Sequence, residues 1–192
     1  MKETINLALR LFIITAVAGL LLAFVNSTTA PVIAKQEQEK LQAALGKTYP
    51  GAEEFNPVEN DKLTEIQGEN PNIQQVYQAV IGGNTEGYVF DVLGRGGYGG
   101  DIQFVVGVNG ESKEIVGYDI LKSAETPGLG SQVGEEPFVG TVIGNTMEEP
   151  LVAAQDPSAD NDIQAISGTT ISVNAILDGL NSAVNALPKV SE

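Results

Sequence analysis

Asp101-Ile-Gln-Phe-Val-Val-Gly-Val-Asn109-Gly110-Glu-Ser-Lys-Glu114-Ile-Val-Gly-Tyr-Asp-Ile-Leu-Lys122 reads as two strands folded back on each other. Asp101–Val108 and Glu114–Lys122 are rich in β-branched and aromatic residues. Asn109-Gly110 between them is the strongest short hairpin signal, because both residues tolerate the positive φ of a tight turn. Upstream, Gln74–Ile81 and Thr85–Leu93 repeat the pattern around Gly82-Gly83-Asn84. Strands that follow one another through short links predict an antiparallel sheet.

Between the two pairs lies Gly94-Arg-Gly-Gly-Tyr-Gly-Gly100. Gly94, Gly96 and Gly99 match the spacing of a dinucleotide-binding fingerprint, but that fingerprint must open a helix whose N-terminus holds the pyrophosphate. A strand follows here, so the glycines read as a tight bend or a close backbone approach. Past the hairpin, Glu125-Thr126-Pro127-Gly128-Leu129-Gly130 is a turn, with Pro127 fixing one dihedral and Gly128 free to take positive φ. Pro137 to Pro157 reads as loop with a strand around Gly140–Ile143.

Ile163–Ile166 leads into Ser167-Gly168-Thr169-Thr170. Val173, Ile176, Leu177, Leu180, Ala183, Val184 and Leu187 then step with a helical period, and Pro188 is expected to stop that helix. Hydroxyls at a helix start cap its unpaired N–H groups. Those N–H groups and the dipole also suit a phosphate. An ordinary Ser/Thr cap and an anion site are both open on these residues alone.

Toward the N-terminus, Leu11–Val25 is an uncharged apolar run. Taken as one helix, Ile5–Thr29 spans roughly 37 Å at about 1.5 Å per residue, enough for a hydrocarbon core of about 30 Å. Lys2 and Arg10 precede the run, which favours a cytoplasmic N-terminus, an extracytoplasmic remainder and a single pass through the cell membrane. A cleaved signal peptide has the same basic start and apolar run, though Thr28-Thr29-Ala30 is a mediocre cleavage site. The anchor is the reading carried forward. Pro31 is expected to break or bend the helix, and Ala34–Leu45 to form a charged helix capped by Gly46. Lys47–Asn72 reads as irregular connection. The division expected is residues 1–30 as start and anchor, 31–72 as connection and 73–192 as the folded domain.

Composition removes whole classes of chemistry. The 192 residues contain no Cys and no His. That excludes disulfides, thiolate-held clusters, His-ligated haem and the commonest zinc sites, so a redox role needs an organic cofactor. With no His or Cys, a free-standing hydrolase is left with Ser–Lys or carboxylate chemistry, and no such constellation is visible. The net charge of −15 argues against nucleic acid as a partner and against anionic head groups as a docking surface. It suits a solvated domain.

Two of these motifs carry a resemblance. Ser167-Gly168-Thr169-Thr170 is similar to the Ser/Thr-Gly-Ala-Thr flavinylation motif of the FMN-binding subunits of bacterial Rnf and sodium-pumping NADH:quinone oxidoreductase complexes. Thr169 stands where alanine is usual, and Gln164 where an aspartate precedes the motif. Glu125-Thr-Pro-Gly-Leu-Gly130 is similar to a second hallmark of these subunits, and Gly97-Tyr98-Gly99-Gly100 to their glycine-rich turn. The resemblance spans the chain and lies nearest the G subunits of Rnf complexes, ion-translocating ferredoxin:NAD+ oxidoreductases. Their counterpart in the sodium-pumping enzyme, its C subunit, is the second-nearest.

The resemblance implies an α+β protein: one transmembrane helix, then an extracytoplasmic FMN-binding domain with antiparallel sheet and C-terminal helix. It implies one FMN, attached through its phosphate to Thr170, relaying electrons between neighbouring redox centres. Ser167, Gly168, Thr169, Tyr98, Glu125, Thr126, Pro127, Gly128, Leu129 and Gly130 would surround that FMN. The Glu125–Gly130 turn would lie against the ring system, and acidic surroundings would lower the reduction potential. No residue of the chain would be catalytic alone or bind metal. Implied partners are the other membrane subunits of the complex, a flavin transferase during maturation and membrane lipid. A flavin-free membrane-anchored binding or assembly module is the alternative of another class.

Overall fold

In the computed structural model, which describes residues 2–191, the chain divides into two compact units, residues 1–41 and 42–192. The first is the body of helix α1 (Lys2–Thr48), whose apolar part has a mean hydropathy of 2.4 and is long and apolar enough to cross a membrane. Pro31 lies inside α1 and does not break it, contrary to the sequence expectation. A proline there removes the N–H that would bond the Ser27 carbonyl. The hydroxyls ahead of it add bonds to the preceding turn: Ser27 Oγ and Thr28 Oγ1 donate to the Phe24 carbonyl at 2.8 and 3.0 Å, and Thr29 Oγ1 to that of Val25 at 3.0 Å. Such side-chain bonds are how apolar helices accommodate proline. Gly46 is not the cap either. The helix continues to Thr48 and the chain turns at Gly51, with φ of 92°.

The second unit is built on a five-stranded antiparallel meander in chain order: β1 (Glu54–Pro57), β2 (Ile73–Ile81), β3 (Asn84–Gly94), β4 (Ile102–Asn109) and β5 (Ile115–Lys122). The four strands read from sequence are present within a residue of their expected limits. Lys47–Asn72 is a correction, since it contains β1 and helix α2 (Asn60–Glu69). Strand β1 is too short to show alternation, and it ends the sheet, where Pro57 is tolerated because an edge residue can forgo a ladder bond. The β4–β5 hairpin forms, but the turn is wider than Asn109-Gly110. Asn109 Oδ1 accepts from the amides of Glu111 and Ser112, both at 2.9 Å, and Lys113 takes the left-handed conformation at φ 57°.

Helix α3 (Glu136–Val142) occupies the segment expected to hold a strand. Pro137 suits a first helical turn, and Phe138 and Val142, four apart, bury one face. Short strands β6 (Val152–Ala154), in a stretch expected to be loop, and β7 (Asp162–Gln164) pair in parallel before helix α4 (Thr170–Ser191). Pro188 does not stop α4. Val190 still buries against the core, and Ser191 Oγ donates to the carbonyls of Leu187 and Pro188.

The core lies between the sheet and α4. Val76, Phe90, Val92, Phe104 and Val106 meet Val173, Ile176, Leu180, Val184 and Leu187, each fully buried side chain contributing about 2 kcal/mol. Close approach needs glycine at two points. A Cβ on Gly179 would stand 2.6 Å from the Phe104 ring, and one on Gly94 would strike the carbonyl of Ala175. The other face of the sheet receives the end of α1, where a Cβ at Gly107 would come within 2.6 Å of the Thr48 carbonyl.

Asp91 on β3 is buried, and Gln103 Nε2 donates to both its oxygens at 2.9 and 3.1 Å. Burial outweighs those bonds and raises its pKa from 3.8 to about 6. Between those values the folded chain holds a proton that the unfolded chain releases, so this group's stabilising contribution is complete below the lower pKa and lost as pH rises through the upper one. At pH 8 the deficit is at most about 3 kcal/mol. Asp91→Asn keeps the shape and an acceptor for Gln103. It should therefore be more stable than wild type at pH 8 and lose that advantage by pH 4, as read from urea unfolding. An equal difference at both pH values would rule out the titration.

Candidate functional site

Three loops meet at one end of the sheet. The first, residues 95–100, leaves β3 at Gly94, the glycine pressed against α4. It is closed by the Gly100 amide on the Gly97 carbonyl at 3.2 Å, and the Gly96 amide donates to Asp101 Oδ1 at 3.1 Å. The second follows β5. The amides of Leu129 and Ser131 return to the Thr126 carbonyl at 3.1 and 3.2 Å, Gly128 takes φ of 75°, and Gly130–Gly134 forms a 3-10 turn. The third is the β7–α4 junction, with Gly168 at φ 80°.

Together they enclose a cavity of about 450 Å³, lined by Tyr98, Glu125, Thr126, Leu129, Gly130, Gly168, Thr169, Thr170, Ile171 and Ser172. That volume falls in the usual range for a small-molecule site, roughly 300–1,000 Å³. Eight of the eleven residues singled out in the sequence are in this lining. Ser167, Pro127 and Gly128 belong to the same loops without facing the cavity. Ile171 and Ser172 are additions. Ile171 had a signal: it is apolar, yet out of phase with the buried stripe of α4, and is 52% exposed.

The four hydroxyls of the third loop are in different surroundings. Ser167 and Thr170 are exposed, while Thr169 and Ser172 are 3% and 2% exposed. Ser172 Oγ donates to Glu125 Oε2 at 2.9 Å. Thr169 Oγ1 is buried without a hydrogen-bond partner, an arrangement that costs free energy unless a bound group completes it. Thr170 opens α4, where first-turn amides have no helical carbonyl to bond. The lining contains no Lys or Arg, so an anion here would be met by N–H dipoles and hydroxyls. Tyr98, Leu129 and Ile171, at 74%, 52% and 52% exposure, supply apolar surface for a flat ring. An orphaned hydroxyl, a helix N-terminus and an apolar rim fit a phosphate-bearing aromatic cofactor such as FMN.

Glu125 is not free to meet a ligand. It is 8% exposed; its Oε1 accepts the Gly99 amide at 3.0 Å, and its Oε2 the Ser172 hydroxyl. Gln164 lies outside the cavity, where its Nε2 donates to the carbonyls of Gln155 at 2.7 Å and Ala165 at 3.2 Å. Nearby Asp162 accepts the amides of Ser158 and Ala159, which hold its carboxyl below the usual range.

The FMN-binding domain family matches residues 97–185, and the RnfG N-terminal region matches residues 1–47. The G subunit of the Na(+)-translocating ferredoxin:NAD(+) oxidoreductase complex of Acetobacterium woodii is 32% identical, over 100% of this chain and 95% of its own length. The G subunit of the ion-translocating oxidoreductase complex of Methanosarcina acetivorans is 30% identical over 96% of this chain and 94% of its own. Its counterpart in the proton-translocating ferredoxin:NAD(+) oxidoreductase complex of Clostridium ljungdahlii is 29% identical over 94% and 88%. Among solved structures, the C subunit of the Na(+)-translocating NADH-quinone reductase of Parabacteroides distasonis shares the fold. Its TM-score is 0.54 at 18% identity, covering 81% of this chain and 95% of that one.

The amide of Gln164 has a structural task that a carboxylate cannot perform, since carboxylates only accept. Gln164→Asp should cost about 1 kcal/mol and lower the thermal midpoint by a few degrees. A midpoint equal to wild type would mean that the two bonds add nothing to stability.

Proposed function

Since this chain belongs to the family of G subunits of ion-translocating ferredoxin:NAD+ oxidoreductase (Rnf) complexes, we propose that it is the FMN-carrying electron-transfer subunit of such a complex. The observation that carries the reading is the cavity at the start of α4, with the two family motifs on its walls and Thr170 exposed between them. FMN, when bound, supplies the capacity to accept and pass on electrons; the chain supplies position and electrostatics.

Thr170 is the residue to which we assign the single covalent phosphoester, made by a flavin transferase. Two of the competing hydroxyls, Thr169 and Ser172, are buried, and Ser167 lies outside the lining. The first-turn amides of α4 would hold the phosphoryl group, aided by the helix dipole. Leu129, Ile171 and Tyr98 would shield the ring from water, and the Thr126–Gly130 backbone would offer it polar groups. α1 anchors the protein in the cell membrane, among lipid and the other membrane subunits, with the N-terminus cytoplasmic and the 42–192 unit outside. Gln164, in the place of the family's acid, and Thr169, in the place of its alanine, are what favour the flavin-free binding module; visible flavin absorbance of the purified chain discriminates the two readings.

Two experiments test the reading. After denaturation, wild type made in cells containing the transferase should give a flavin-fluorescent band. Thr170→Ala should abolish the band and Thr169→Ala keep it, while Gln164→Asp should keep or raise its intensity. A band that persists in Thr170→Ala would move the tether elsewhere. For topology, Asn60→Cys, on an exposed position of α2, should react with an impermeant thiol reagent in intact cells. Labelling only after lysis would reverse the orientation.

A further inference from the structure

We propose that Glu125 is the positioning residue of the cavity: its carboxylate pins the 95–100 loop and the first turn of α4 to the 125–130 turn. Three segments far apart in the chain become one wall through a single side chain. The inference rests on the FMN reading for what fills the cavity, but not for the bonds themselves.

The bonds have a defined sense. The Gly99 amide can only donate, and a carboxylate can only accept, so Oε1 takes the Gly99 N–H at 3.0 Å. Oε2 takes the Ser172 hydroxyl at 2.9 Å. Ser172 lies two residues past Thr170, so this second bond sets the first turn of α4 against the second loop. None of the ion pairs among the described residues includes Glu125. The Glu125 amide also donates to Ser123 Oγ at 3.2 Å, which steadies the turn that presents the side chain.

Glycines pack closely around the carboxylate and the backbone that carries it. A Cβ on Gly97 would stand 2.6 Å from Oε1, and one on Gly130 would collide with Oε2 and with Ser172 Oγ. Gly99 is packed against the carbonyl of Ala124, where a Cβ would also collide. Glycine at 97 and 130 leaves room for the carboxylate, and glycine at 99 lets the loop approach the 124–125 backbone closely enough for its amide to reach Oε1.

The test uses the full-length chain in detergent, prepared without flavin transferase, with two readouts: hydrogen exchange of residues 94–100 and titration with FMN. Glu125→Ala should speed exchange at Gly99 and weaken FMN binding, each by about tenfold. Ser172→Ala should have a smaller effect on both. The double variant should be no worse than Glu125→Ala, because both changes break the same link. Glu125→Gln keeps an acceptor for Gly99 and can turn its amide toward Ser172 Oγ, so it should stay within about threefold of wild type. That rescue separates positioning from a charge effect. Unchanged exchange at Gly99 in Glu125→Ala would overturn the proposal, as would additive effects in the double variant. If Glu125→Ala does not fold, Ser172→Ala and Glu125→Gln carry the same comparison. Wild type that neither binds FMN in this titration nor carries it when made with the transferase would overturn the functional reading instead, with the exchange data still deciding on the clamp.

Discussion

A helix can lie close across a sheet only where the facing residues leave room, and in this chain Gly94 on the sheet and Gly179 on the helix leave it. Without a side chain at Gly94 the β3 backbone reaches the carbonyl of Ala175, and without one at Gly179 the helix settles on the Phe104 ring. That contact fixes where α4 begins relative to where β3 ends. The glycine loop after β3 and the hydroxyl-rich junction before α4 are therefore brought to the same place by core packing. Two loops in one place are not yet a site. The third wall, after β5, is joined to both by Glu125.

The cavity is unusual in how an acidic protein would accommodate an anion. The chain carries −15, and no Lys or Arg lines the cavity. Main-chain N–H groups at the start of a long helix take the place of a cation. The helix must be held firmly for that to work, and α4 is held along its length by Val173, Ile176, Leu180, Val184 and Leu187. Its far end is tied to α2 by Lys189 and Glu69 at 2.6 Å. The phosphoester proposed at Thr170 would suit such a site, because attachment would replace the binding energy that cationic side chains otherwise supply.

The prolines show how tertiary and local bonding override a strong local rule. Pro31 sits in a helix whose preceding turn is bonded by the hydroxyls of Ser27, Thr28 and Thr29. Pro188 sits in a last turn that the core still holds through Val190. In both places the donor lost to proline costs less than ending the helix would. Gly46 stays helical because the chain is held beyond it, where Thr48 is buried against the glycines of the sheet.

The strands of the meander, the long apolar helix, the final amphipathic helix and the two motif loops could all be read from the amino acids. Each is specified by residues near one another in the chain: β-branched runs between turn residues, an uncharged apolar stretch, a helical stripe, glycine with proline. The segments read wrongly, β1, α2, α3 and β6, are short, and their apolar residues acquire meaning only from what covers them. The sequence likewise brought out Glu125, Tyr98 and the Ser167–Thr170 hydroxyls but could not rank them. Tertiary structure alone decided that Thr169 and Ser172 are buried and Thr170 is exposed, and that both oxygens of Glu125 are taken by Gly99 and Ser172. Burial and long-range hydrogen bonds depend on residues tens of positions away, and no local pattern encodes which of several neighbouring hydroxyls the fold will leave open.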